Sequence, residues 1–418
     1  MTAVKWFSLL VLLCTVHVSG AQTIITDTPP HPPEELGTQQ SAVHTHDRRQ
    51  TDLVDIFQKL LDIRTDRSID TASQDEIRIS GLPAAGYTLQ TGFAAIAFAN
   101  AIFPTAKDKK TNISNILTSV TYSQYNQVIF PIQASIWTKE NKYSIVVDWR
   151  YIKFPSYTYG LGSTTRLDDA YTVDYSSLRL HQRVFRAVAK DLYAGVGYAF
   201  DYFWNVREVD PPAGVVTDFQ KYGLTEQSVS SGPTVNVLYD NRRIAVNADR
   251  GFYASAVYRD NLKALGSDDN WQSLQVDLRK YVRFPAGSEN VLAFWNYDWF
   301  TLGGGNPPYL LLPNTGGDPY SNTGRGYIQG RYRGLNMLYL ESEYRFRITR
   351  NGLFGGVVFA NAQSVAGRDN RYLDVIAPGY GAGLRVKLNK FSRTNIAIDY
   401  GLGTGGSRGF FVNLGEVF

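Results

Sequence analysis

Cysteine is almost missing from this sequence: Cys14 is the single cysteine among 418 residues. Disulfide scaffolds need paired cysteines, so that class of protein is excluded. Cys14 follows Leu13, whereas a lipoprotein signal has a small residue at that place, so we do not expect lipidation. The rest of the chain is therefore expected to carry out no thiol chemistry.

Charge and histidine are also scarce. Charged residues make up 19% of the chain, against roughly 25% in soluble domains. The formal net charge of +4 is too small to indicate a nucleic-acid partner. His44 and His46 form a pair without further ligands nearby, and His181 is the only histidine over residues 76–418. We expect no metal site.

Catalytic sequence motifs are missing as well. The chain has no G-x-S-x-G nucleophile turn, and the glycine-rich stretch 401–406 lacks the Lys-Ser/Thr of a phosphate-binding loop. We therefore expect neither an enzyme nor a cofactor.

Long apolar runs are confined to the N-terminus. Lys5, the apolar stretch 6–13 and Ser19-Gly20-Ala21 predict a signal peptide over 1–21, cleaved near Ala21. An uncleaved anchor is the alternative, but the run is shorter than the ~20 residues that span a bilayer. No later segment reaches that length either, so no spanning helix is expected.

Two segments precede the main domain. Residues 22–50 are rich in proline and polar side chains and predict a disordered tail. Over 51–66 apolar residues recur at helical spacing, which predicts an amphipathic helix. Such a helix would dock on the rim of a barrel, enter its lumen, or lie on the membrane surface; the residues of the apolar face are Leu53, Ile56, Phe57, Leu60 and Leu61.

From residue 76 onward the hydrophobic period changes to two. In one typical segment Glu341, Glu343 and Arg345 alternate with Leu340 and Tyr344. Alternate side chains of a strand face opposite sides, so each segment has a charged wall and an apolar wall. A soluble sandwich and a membrane barrel both produce this pattern, with the polar face outside in the first and inside in the second.

Three features favour the barrel. The segments are about ten residues or longer, as a tilted spanning strand requires. Many end in aromatic residues, as interfacial girdles do, and their connections alternate between short and long. The fold class that we predict is all-β: a transmembrane antiparallel β-barrel of about sixteen strands over 76–418, with a long loop folded into the lumen and a short N-terminal α-helix.

The predicted strands fall at 76–87, 90–103, 112–125, 127–138, 142–154, 174–188, 191–206, 232–242, 250–260, 271–284, 289–300, 337–348, 353–364, 380–389, 394–403 and 409–418. The long loop lies between the eleventh and twelfth of these strands and is rich in glycine and proline. It contains Gly324, Arg325, Gly326 and Tyr327.

With these features the chain resembles the bacterial surface antigen superfamily of BamA/TamA-like outer-membrane barrels, over residues 76–418. That family carries a hydrophobic-Arg-Gly-aromatic tetrad at the tip of its sixth outer loop, followed by five strands. Arg325, Gly326 and Tyr327 match three positions, whereas Gly324 stands where the family has Val or Ile. Five predicted strands follow the loop.

The resemblance implies a loop anchor. The family arginine reaches an acidic residue on the next strand, which corresponds to Glu343, and an aspartate on the strand after it. Asn361 stands at that second position, so we expect a neutral hydrogen bond there and a weaker anchor than in relatives. The lumen charges Asp148, Arg150, Arg179, Arg183, Asp277 and Arg279 either balance one another or line a substrate pathway.

Both ends of the predicted barrel carry further signals. The last strand is expected to run to the final residue as an outer-membrane assembly signal containing Gly415 and Phe418. Gly81 and Pro83 interrupt the first strand, which suits a weak seam between the first and last strands.

The resemblance implies an outer-membrane protein that assists insertion or translocation of proteins or lipids; the alternative is a passive or gated channel. Relatives that insert proteins carry POTRA domains of about 75 residues each, for which the segment 22–75 has no room. The implied partners are outer-membrane lipids, client polypeptides and the host barrel-assembly machinery. Pairing of two barrels is left open.

Overall fold

The computed structural model describes residues 50–53, 55–56, 77–88, 91–108, 111–223, 225–242, 247–367, 375–390 and 393–418. The predicted signal peptide, nearly all of the predicted tail and most of the predicted helix lie outside the described residues.

The described chain is built almost entirely from antiparallel strands. Their bounds are β1 (Arg78–Thr88), β2 (Gly92–Phe103), β3 (Ser114–Ser123), β4 (Val128–Trp137), β5 (Tyr143–Lys153), β6 (Ser156–Thr158), β7 (Tyr171–Ala189), β8 (Leu192–Val209), β9 (Gln227–Asp240), β10 (Gly251–Asn261), β11 (Trp271–Arg283), β12 (Val291–Leu302), β13 (Asn336–Arg347), β14 (Phe354–Ala366), β15 (Ala377–Asn389), β16 (Thr394–Gly403) and β17 (Arg408–Leu414). One short helix, α1 (Asp218–Gly223), lies between β8 and β9, and 3-10 turns occur at Lys139–Asn141, Leu167–Asp169, Lys263–Leu265, Tyr309–Leu311 and Thr404–Gly406.

The strands form a single meandering sheet in which each pairs with the next along the chain. The short β6 is a continuation of β5, because both pair with β7 and only Phe154 and Pro155 separate them. Counted this way, the sheet has sixteen strands, and the predicted all-β fold is confirmed. Among the described residues, no hydrogen-bonded ladder joins β1 to β17, although parts of the two strands come close together.

The sheet has a polar concave face and an apolar convex face. In β13 the side chains of Glu341 and Glu343 are buried, whereas Leu340, directly before Glu341, is 60% exposed. The same inversion appears in β10, where the buried Arg259 follows the exposed Tyr258. A soluble sandwich would place these residues the other way round, so the pattern is that of a barrel with a polar lumen.

The connections define two rims. What we call the long-loop rim carries the connections 159–170, 210–226 and 303–335, and the short-turn rim carries 138–142, 190–191 and 390–393. The longest connection, 303–335, folds back into the lumen, where Leu312, Arg325 and Tyr327 are almost completely buried. The predicted lumen-folded loop is thereby confirmed.

The start of the predicted N-terminal helix lies on the short-turn rim. The Thr51 amide donates to the Asn351 carbonyl (3.0 Å), and the Lys390 amide donates to the Asp52 carboxylate (2.9 Å). Asp52 also accepts the Asp55 amide (2.8 Å), in the manner of a helix N-cap. Among the described residues, no helix has the length and apolar character needed to cross a membrane.

Candidate functional site

The long loop is a folded structure with two limbs that pair with each other. The Thr315 amide donates to the Tyr332 carbonyl (2.9 Å), and the Gly330 amide donates to the Thr315 carbonyl (2.8 Å). At the tip, the Asp318 carboxylate accepts both the amide (2.7 Å) and the hydroxyl (2.8 Å) of Thr323. These bonds hold the backbone rigid just before Arg325.

Two glycines flank Arg325 and set its backbone. Gly324 has φ +83°, and a Cβ there would lie 2.4 Å from the Thr315 methyl. Gly326 has φ +106°, and its Cβ would lie 2.8 Å from the Leu402 carbonyl oxygen. Positive φ and such close contacts both select glycine. A Val or Ile at position 324 would therefore collide with Thr315.

The Arg325 side chain forms ion pairs with three carboxylates. Its Nη1 donates to Asp399 of β16 (2.6 Å), and its Nη2 contacts both Glu341 and Glu343 of β13. All four side chains are at most 1% exposed. The guanidinium also lies 3.7 Å from the centre of the Phe359 ring, a cation–π arrangement.

These three carboxylates favour the protonated, charged form of Arg325. Burial disfavours the charged form, but Glu341, Glu343 and Asp399 together raise the pKa of Arg325 well above its ordinary value. The arginine is therefore a permanent cation at this position. The Arg325 Nε has no hydrogen-bond partner among the described residues, so the carboxylates bind only the two terminal nitrogens, Nη1 and Nη2.

Asn361 contacts Arg325 in a different way from the prediction. Its side-chain amide donates to the Arg325 main-chain carbonyl (2.9 Å) instead of accepting from the guanidinium. The further negative charges come from Asp399 and Glu341, which the sequence reasoning missed. Both positions alternate with apolar residues in their strands, so the sequence predicts that their side chains face the lumen. The sequence does not predict that they pair with Arg325.

Tyr327 attaches the loop to the long-loop rim. Its hydroxyl donates to the Pro378 carbonyl (2.5 Å) and accepts the Thr404 amide (2.9 Å). Its ring packs edge-on against Tyr332 with a centroid distance of 5.5 Å. The loop thus contacts the barrel wall through three consecutive residues, Arg325, Gly326 and Tyr327.

The last residues of the sequence also enter the lumen. The predicted strand to residue 418 is wrong in its final part, because β17 ends at Leu414 and Gly415 turns the chain inward with φ +94°. Glu416 is drawn to Arg385 (2.7 Å) and accepts from the Asn395 amide (2.7 Å). These polar partners lie inside the barrel and hold the last residues there. We call residues 415–418 the tail.

Phe418 occupies an aromatic site in the lumen. Its ring stacks on Trp295 with a centroid distance of 5.1 Å, and its carbonyl accepts from the Arg345 Nη2 (2.8 Å). The tail also contacts the loop, since the Asn322 amide donates to the Val417 carbonyl (2.7 Å). Phe418 is buried and lies away from the outer wall.

The loop and the tail share a closed ring of ion pairs, which we call the charge ring. Starting at Arg325, it passes through Glu343, Arg345 (2.6 Å from Glu343), Glu416 (3.7 Å), Arg385 (2.7 Å) and Asp399 (2.5 Å) and returns to Arg325. Positive and negative groups alternate around it. Its members belong to the loop, β13, β15, β16 and the tail, so the ring connects five parts of the chain.

The predicted seam residues lie on β1 and pair with β2. Gly81 is opposite Ala99 and Pro83 is opposite Ala97 in the β1–β2 ladder. Their other neighbour in a closed barrel would be β17.

Among the residues that the structure describes, no group of three or more histidine, cysteine or acidic side chains is arranged to hold a metal ion.

Comparison with known proteins relates this geometry to solved barrels. No family model matches the sequence, and no curated protein matches it either. Among solved structures, BamA from Haemophilus ducreyi lacking POTRA domains 1-3 matches 80% of this chain with a TM-score of 0.54 and 15% identity. CdiB from Escherichia coli matches 81% with a TM-score of 0.54 and 11% identity, and CdiB from Acinetobacter baumannii matches 81% with a TM-score of 0.51 and 12% identity.

The match covers only part of each of those proteins. The chain spans 68% of the BamA chain and 62% and 60% of the two CdiB chains. At these identities the likeness concerns the fold. By fold, this chain is a BamA-like barrel.

Proposed function

We propose that this chain is an outer-membrane barrel that assists the insertion or translocation of polypeptides or lipids. The observation that carries the proposal is the loop held inside the lumen by Arg325, Glu341, Glu343 and Asp399, in a sheet whose first and last strands share no ladder within the part of the chain that the structure describes. The apolar convex face supports a membrane location, since exposed Val235, Leu340 and Phe410 suit contact with lipid.

The mechanism that we propose uses the edge between β1 and β17. An unpaired strand edge presents free N–H and C=O groups, which a client strand can extend by β-augmentation. Pro83 lacks a backbone N–H and Gly81 contributes no side chain, so both weaken pairing at this edge. The anchored loop would hold β13 and β16 in place while β1 and β17 separate. Outer-membrane lipids, client polypeptides and the host assembly machinery are the proposed partners.

Depletion of the protein, followed by quantitative proteomics and lipid analysis of the outer membrane, tests this function. We expect a defined set of outer-membrane proteins or lipids to fall in abundance. Wild-type protein should restore it, whereas Arg325→Ala should restore it poorly. Arg166→Ala is the matched control, because Arg166 lies in an exposed loop on the same rim. An unchanged outer membrane after depletion would refute the proposal.

A further inference from the structure

A chamber lies in the lumen between the long loop and the wall formed by strands β4 to β12. Its volume is about 110 Å³. A buried water needs ~10–15 Å³ on this measure, so the chamber has room for several waters or one small solute. The side chains considered below that line it are Asp148, Arg150, Arg179, His181, Arg183, Arg259 and Trp299.

The chamber wall carries more positive than negative charge. Arg150 pairs with Asp148 (2.6 Å), while Arg179 (3.2 Å) and Arg259 (2.5 Å) share Asp201. These ion pairs, among the described residues, contain three arginines and only two aspartates. Arg183 and His181 also line the chamber and are not included in that count. His181 contacts the same Asp201 (2.9 Å), so that carboxylate is already fully engaged.

Hydrogen-bond donors remain available in the chamber. Arg179 uses only its Nε, on Asp201, and its Nη1 and Nη2 donate to no described residue. Its side chain is 32% exposed and lines the chamber. The Trp299 indole Nε1 is buried and also lacks a partner among the described residues.

Two of the arginines stand side by side. Arg150 of β5 and Arg179 of β7 are directly opposite each other in the ladder, so their side chains leave the same face as neighbours. Arg150 also donates to the Pro319 carbonyl of the loop (3.3 Å), which brings the loop over this pair. Planar guanidinium groups bind carboxylate and phosphate oxygens through two parallel hydrogen bonds.

We propose that this chamber binds an oxyanion, the phosphate or carboxylate group of a small solute, through Arg179 and Arg150 with Trp299 as a further donor. The site uses none of the side chains of the loop anchor or of the seam. Its ligand would enter the lumen and displace water from the Arg179 nitrogens. The proposal therefore adds a binding function to the barrel.

Isothermal titration of the purified protein in detergent, at low ionic strength, tests the site. The probes are inorganic pyrophosphate and succinate, which distinguish phosphate from carboxylate recognition. We expect saturable binding of at least one probe. Arg179→Gln should weaken it tenfold or more, and Arg179→Lys should weaken it less because the charge remains. The matched control is Arg186→Gln on the same strand, which is exposed and lies outside the chamber; it should change binding less than twofold.

Binding of neither probe would overturn the proposal, as would equal weakening by the Arg179→Gln and Arg186→Gln variants. Should Arg179→Gln fail to fold, phenylglyoxal modification of the unaltered protein decides the matter. Peptide mass spectrometry should show that pyrophosphate or succinate protects Arg179 from modification while Arg186 stays reactive. An unprotected Arg179 would refute the proposal.

Discussion

Arg325 is a buried cation, and three carboxylates offset the free-energy cost of removing its guanidinium from water. Removing one ion from water costs several kcal/mol even after relaxation, and a buried pair stabilises only when its geometry is good and its remaining polar atoms are bonded. Here both terminal nitrogens of Arg325 reach carboxylates, and Glu343 is bonded again by Arg345 (2.6 Å). The charge ring therefore leaves few of its polar atoms without partners.

The glycine at position 326 gives a prediction at the residue scale. Gly326→Ala and Gly287→Ala both force a side chain onto a positive φ, at +106° and +82°, which costs roughly 1–3 kcal/mol. Only Gly326 has a close neighbour, the Leu402 carbonyl, whereas nothing lies within 4 Å at Gly287. Gly326→Ala should therefore lower the free energy of unfolding by a further ~1–3 kcal/mol.

Urea unfolding of each variant in lipid vesicles measures the difference. Equal destabilisation by the two substitutions would contradict the close packing of the loop on β16. Gly287→Ala serves as the control here, because it carries the backbone strain without the contact.

The sequence predicted some of these contacts and missed others, for physical reasons. The pairing of Arg325 with Glu343 follows from the family resemblance, and the alternation of β13 places Glu343 on the lumen wall. Asp399 lies 74 residues from Arg325, and its role depends on how β13 to β16 are staggered. That stagger is a property of the whole sheet, and a single strand's pattern does not encode it.

At the scale of elements, the tail behaves as a segment separate from β17. Its charged residue Glu416 lies between Arg385 and Asn395, and its aromatic residue Phe418 stacks on Trp295. Alternation over 410–418 suggested a strand, because Phe410, Val412 and Leu414 continue the period of two. The inward turn at Gly415 arises from lumen partners on other strands, which local alternation cannot reveal.

We predict that Glu416→Ala releases the tail from the lumen. Loss of the carboxylate leaves Arg385 and Arg345 without this partner, so residues 415–418 should lose their strongest attachment. A Val417→Cys reporter, in a Cys14→Ser background, measures the release. Val417 is 3% exposed, and maleimide labelling should accelerate on the order of tenfold when it becomes accessible.

The matched control for tail release is Glu140→Ala in the same reporter background, since Glu140 is an exposed acid on the short-turn rim. It should leave the labelling rate unchanged. Equal rates in the Glu416→Ala and Glu140→Ala proteins would show that Glu416 does not hold the tail.

At the scale of the whole molecule, the strand count and the inverted polarity were predictable and the state of the sheet edges was not. Period-two segments of ten residues or more identify spanning strands one at a time. Whether β1 pairs with β17 depends on the sum of all registers and on where β17 stops. The loop and the tail both occupy the lumen, with Leu312, Arg325 and Phe418 buried in its interior.

This filling predicts a small conductance. In planar bilayers the wild-type protein should show brief, small openings, because the loop and tail obstruct the pore. Arg325→Ala combined with Glu416→Ala should give larger and longer openings, since both obstructions lose their anchors. A passive channel would instead give a large, steady conductance in the wild-type protein, and that result would contradict the obstructed lumen.

The central claim is that Arg325 anchors the loop and thereby stabilises the barrel, and heat-modifiable mobility on unboiled gels tests it most directly. Breaking a buried ion pair from one side costs ~3–5 kcal/mol, so Arg325→Ala should unfold at a temperature lower by on the order of 10 °C. Arg166→Ala, with a side chain that is 76% exposed, should behave as wild type. If Arg325→Ala kept the full heat resistance of the wild-type band, the loop anchor would be refuted.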